Sequence, residues 1–86
     1  MSRIEKLERR IRSLQSDIEF EELKVFLEYY GFYISRSSGS HFIFKAQSER
    51  LVIACNKKHI AKYQLKQAVC AVDRIIDTAN EQGGLK

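Results

Sequence analysis

The segment Ser37-Ser38-Gly39-Ser40-His41-Phe42-Ile43-Phe44-Lys45 concentrates this chain's means of doing chemistry. An imidazole exchanges a proton near neutral pH, and His41 stands at the mouth of an apolar strand, directly after a small polar turn. Gly39 permits unusual backbone angles and puts no side chain in the way, so Gly39 and Ser40 shape a turn that another backbone can approach closely. An idle surface turn carries the same residue types. The surrounding charge is what separates the two readings.

Residues 1–31 hold six basic and seven acidic groups, net −1, whereas residues 32–86 hold nine basic and four acidic, net +5. Between Phe32 and Lys66, Arg36, Lys45, Arg50, Lys57, Lys58, Lys62 and Lys66 face Glu49 alone. A cationic field around a proton-exchanging group makes a polyanion the natural partner. Lys45, Lys57, Lys58, Lys62 and Lys66 are the candidate phosphate contacts, with Arg36 and His59 as secondary candidates. Cys55 and Cys70 lack metal-ligand spacing with His41 or His59, so neither a metal nor another cofactor is expected. With no export signal, both cysteines are expected to be reduced, buried thiols. No apolar run reaches the ~20 residues that span a bilayer, which excludes a membrane-spanning helix and points to a cytoplasmic protein.

At 86 residues the chain has room for one domain with a modest core. Ile4, Leu7, Ile11 and Leu14 recur at helical spacing, so a first amphipathic helix is predicted from Arg3 to Gln15, packed on its own domain or paired with another chain. Ser16 and Glu19 have capping-box spacing before a second helix that runs to about Tyr30, with Phe20, Leu23, Phe26, Leu27 and Tyr30 available to the core. Gly31 ends that helix in the left-handed conformation, with Phe32 folding back behind it. Three short strands follow, roughly 32–36, 40–46 and 51–55, joined by links short enough to require an antiparallel meander. His41, Ile43 and Lys45 share one face of the middle strand while Phe42 and Phe44 share the other. A long closing helix starts near Ile60 or Ala61 and carries Leu65, Ala68, Val69, Val72, Ile75, Ile76 and Ala79, and residues 80–86 read as a fraying end. The class is α+β, with helices on one face of a three-stranded antiparallel sheet.

Residues 20–32, Phe20-Glu21-Glu22-Leu23-Lys24 through Gly31-Phe32, followed by Gly39-Ser40-His41-Phe42-Ile43-Phe44, resemble the HicA (YcfA-like) mRNA interferase family of toxin–antitoxin systems over about residues 20–70. The resemblance implies a double-stranded RNA-binding-domain-like α-β-β-β-α core, spanning 18–82, to which residues 1–17 add an N-terminal helical extension within one compact unit. It places His41 at the catalytic histidine and Gly39 at the turn-shaping glycine. It further implies a metal-independent endoribonuclease that cleaves mRNA and inhibits translation, held in check by a cognate HicB-like antitoxin. Phe42 departs from the pattern, standing where a second histidine often follows.

Metal-free RNA cleavage needs proton transfer at the ribose 2′-OH and at the leaving oxygen, with cations on the phosphate. His41 is the candidate general acid or base, and Lys57, Lys58 or Lys62 are the candidate neutralising charges. Two other readings fit the same residues: a non-catalytic RNA-binding module of this fold, and a small scaffold protein pairing through its first helix. The expected state is a monomer or weak dimer.

Overall fold

The computed structural model describes residues 3–47, 49–55 and 57–84. In chain order these form α1 (Arg3–Arg12), α2 (Phe20–Tyr29), β1 (Tyr33–Ser38), β2 (His41–Ala46), β3 (Glu49–Ala54) and α3 (Lys62–Gly84). The three strands make an antiparallel sheet in the order β1-β2-β3. The protein is therefore α+β, an α-β-β-β-α layout with an added N-terminal helix.

Period-two alternation in β2 sorts its side chains between the two sides of the sheet. Phe44 and Ala46 are buried and Phe42 half-buried, all on the side covered by helices, together with Leu51 and Ile53 of β3. Leu23, Phe26 and Leu27 of α2 and Leu65, Ala68, Ala71 and Val72 of α3 complete that core. Phe20 stacks on Phe42 with ring centroids 4.4 Å apart, which fixes the start of β2 against α2. Among the described residues no helix covers the opposite face of the sheet, which carries His41, Ile43 and Lys45.

The end of α2 follows from one residue. Gly31 takes φ +96°, and the Phe32 and Gly31 amides donate to the Leu27 and Glu28 carbonyls, both at 3.0 Å, closing a Schellman motif with Phe32 and Leu27 buried. A Cβ at Gly31 would meet nothing within 4 Å, so the cost of Gly31→Ala is conformational rather than steric. It is expected to lower stability by roughly 1–2 kcal/mol, read as a fall in the urea midpoint with unchanged slope.

Several expectations are corrected. Helix α1 ends at Arg12 rather than Gln15, because Leu14 sits at φ +57° and cannot continue a right-handed helix. The residue that caps α2 is Glu19, with Glu22 three residues on, in place of the Ser16/Glu19 pair. Cys55 is half-buried and Cys70 exposed, both free thiols, because Cys70 falls off the apolar stripe of α3. That helix begins at Lys62, and it runs on to Gly84 through residues expected to fray; residues 85 and 86, like the side chain of Ala79, lie outside the described residues.

The Glu19 cap has a pH signature. The backbone N–H of Glu19 donates to the Glu22 carboxylate at 3.0 Å, and with Arg10 at 2.6 Å it holds that carboxyl below the usual glutamate range. A lowered folded-state pKa contributes stability above the unfolded value and loses it as pH falls through the folded one. Glu22→Gln is therefore expected to flatten the acid limb of the stability profile, measured as urea midpoints from neutral to strongly acidic pH.

Candidate nucleic-acid interface

The turn before His41 is a two-residue link, since Ser38 pairs directly with His41. Gly39 takes φ +58° at its first position while Ser40 does not take a positive φ, the sign pattern of a type II′ hairpin. The turn delivers His41 to the first position of β2, where its side chain is exposed. The backbone beneath it is fixed on both sides. His41 pairs with Ala54 of β3, and the Ala54 amide donates to Oε1 of the buried Gln64 at 3.0 Å, which ties the first turn of α3 to this end of the sheet.

The same end gathers the segment that carries Lys57 and Lys58. The Cys55 amide donates to the Ser40 carbonyl at 2.7 Å, so the link from β3 to α3 leaves from beside the Gly39–Ser40 turn. Lys57 and Lys58 are exposed on that link, and Lys62 is exposed two residues before Gln64 at the start of α3. His59 goes elsewhere. It bridges to Glu19 in the helical layer, next to the Ile60 amide that donates to the Ile18 carbonyl at 2.8 Å. Of the two histidines, only His41 belongs to the sheet.

Register places the remaining cations. Lys45 pairs with Tyr33 on one side and Arg50 on the other, so both basic groups share the bare face with His41. Arg36 reaches that face through an irregularity: the register shifts between Ile34, which pairs with Phe44, and Arg36, which pairs with Ile43. Strict alternation would put Arg36 on the core side with Ile34, and the bulge at Ser35 turns it outward. Lys66 borders the outer edge of β3 beside Arg50 and Val52. The face thus combines His41, Arg36, Lys45 and Arg50, with Lys66 around its edge and Lys57, Lys58 and Lys62 at the His41 end.

These cations carry no side-chain hydrogen bond or ion pair among the described residues, in contrast to Arg10, Arg12 and Arg74, which each hold a carboxylate. Their charge is available to an external anion. Sequence reasoning left Arg50 out of the site, although the alternation that places Val52 outward also places Arg50 there. Gln64 was missed altogether, since a buried glutamine in an apolar helical stripe announces itself only through its partner.

A family model described as the HicA toxin of bacterial toxin-antitoxin matches residues 20–72, from the start of α2 into the middle of α3. The chain belongs to the HicA toxin family. The match takes in the Gly39–Ser40 turn, His41, Arg36, Lys45, Arg50, Lys57, Lys58, Lys62 and Lys66, and it leaves α1 outside. No curated protein and no solved structure matches the chain. Membership in the HicA family gives the protein a toxin role and implies an antitoxin as its partner. No described helix is long and apolar enough to cross a membrane.

Proposed function

We propose that this HicA-family chain is an endoribonuclease that cleaves mRNA on the bare face of its sheet, using His41 as general acid or base. The observation that carries the reading is an exposed imidazole on the same face as three unpaired cations. The 2′-OH of a ribose attacks the adjacent phosphate and the bond to the 5′-oxygen breaks; the imidazole takes the hydroxyl proton or supplies one to the departing 5′-oxygen, solvent water exchanges the other proton, and a 2′,3′-cyclic phosphate and a 5′-OH remain. Lys57, Lys58 and Lys62 stabilise the crowded phosphate at the His41 end, while Arg36, Lys45, Arg50 and Lys66 track the strand on either side. The antitoxin restrains the enzyme by presenting carboxylates to this basic face.

Incubation with end-labelled RNA in excess chelator tests the proposal. Cleavage to cyclic-phosphate ends is expected; intact RNA that remains bound to the protein selects the non-catalytic binding module instead.

Affinity for single-stranded RNA is expected to fall steeply with salt, with a slope of roughly −0.7 per neutralised phosphate in a plot of log K against log salt. Pairing Lys57→Ala with Lys58→Ala should flatten that slope by one to two contacts, as titrations of a labelled oligonucleotide would show. A slope near zero for the parent protein removes the electrostatic part of the proposal.

A further inference from the structure

A second surface stands apart from the bare sheet face. Between α1 and α2 runs an open groove of about 960 Å³, floored by Ile4, Leu7, Val25 and Tyr29. Val25 is 50 % and Tyr29 63 % exposed, and the Tyr29 ring is held edge-on against Tyr30 at 5.1 Å. A pre-positioned aromatic beside aliphatic side chains is the composition of a protein interface core. The two walls carry opposite charge. Arg3 and Lys6 line the α1 side, and Glu21 and Glu28 the α2 side; all four side chains are exposed and none makes an ion pair among the described residues. Arg10 and Glu22, at 2.6 Å, join the walls within one chain.

We propose that the occupant of this groove is the same groove of a second copy, forming a two-fold dimer with α1 of each protomer over α2 of the other. A surface with one basic and one acidic wall is its own complement under that rotation: Arg3 and Lys6 of each copy meet Glu21 and Glu28 of its partner, twice. The alternative two-fold, which sets α1 on α1, brings like charges together and is selected against. A partner of uniform charge would be repelled by one wall. The apolar floor is sealed in the centre and the charged walls form the rim. The dimer leaves His41 exposed, since the groove belongs to the helical layer and His41 to the opposite face of the sheet. It also assigns a role to α1, which the family match does not include.

Sedimentation equilibrium of the full chain over a wide concentration range, at low and at high salt, tests this. The parent is expected to dimerise reversibly, more weakly at high salt. Reversing one wall with Arg3→Glu and Lys6→Glu, or the other with Glu21→Lys and Glu28→Lys, should each weaken dimerisation by about tenfold or more. Circular dichroism should show unchanged folding, because the four positions are exposed and unpaired. Mixing the two variants in equal amounts should restore association to near the parental level, as every contact then joins opposite charges. A parent chain that stays monomeric at the highest concentration in low salt, or a mixture that associates no better than its components, overturns the proposal.

Discussion

Replacing His41 by alanine is expected to reduce RNA cleavage by roughly 10²–10⁴-fold while the protein stays folded. The His41 side chain is exposed and makes no hydrogen bond among the described residues, so its removal leaves no orphaned partner and no cavity. Thermal stability should stay within about 0.5 kcal/mol of the parent, as for other surface substitutions free of special contacts. RNA affinity should change little as well, since the phosphate contacts come from Arg36, Lys45, Arg50 and the lysines. Gel-resolved cleavage rates, binding titrations and a melting curve on the same two proteins separate these effects. A folded variant that cleaves at the parental rate removes His41 from the chemistry.

Much of the arrangement around His41 was legible in the sequence because period-two and period-3.6 patterns are properties of the chain alone. The order of elements, the Gly31 cap and the faces of β2 follow from those patterns and from the two turn glycines. Which face the helices cover did not follow, because His41-Ile43-Lys45 and Phe42-Phe44 are both partly apolar sets and only the packed core chooses between them. Arg36 shows the sharper limit. Nothing in Ile34-Ser35-Arg36 marks Ser35 as the extra residue of a bulge, yet that one insertion moves a guanidinium from the core side to the face that bears His41. The cap of α2 was read one step early for a related reason. Ser16 and Glu19 have the right spacing, but Glu19 and Glu22 have it too, and α2 starts where Phe20 meets Phe42 and Phe44.

The first helix was legible as an element but not as a structural necessity, and Ile11→Ala separates those two descriptions. Ile11 is fully buried in the one core cluster, beside residues of α2 and α3, although it precedes the start of the family match by nine positions. Polar ties also hold α1 down. Arg12 bonds Glu8 at 2.7 Å and Asp73 of α3 at 2.9 Å, and the Tyr30 hydroxyl donates to Glu8 at 2.6 Å. Burial, and then the Glu8 carboxylate, push the Tyr30 hydroxyl up to about 12. Because the folded value is raised, that contribution persists below the unfolded value and is lost as pH rises through the folded one. Part-exposed pairs of this kind contribute about 0–1 kcal/mol each. Truncating a buried isoleucine to alanine costs about 2–5 kcal/mol, so packing outweighs the ion pairs. In a chain of this size such a loss moves the melting temperature by roughly 4–8 °C per kcal/mol. Ile11→Ala is thus expected to melt at least about 10 °C below the parent, and Arg12→Ala only a few degrees below it. Equal melting of Ile11→Ala and parent would mean that α1 is dispensable to the core; equal losses in the two variants would mean that the ion pairs hold it there.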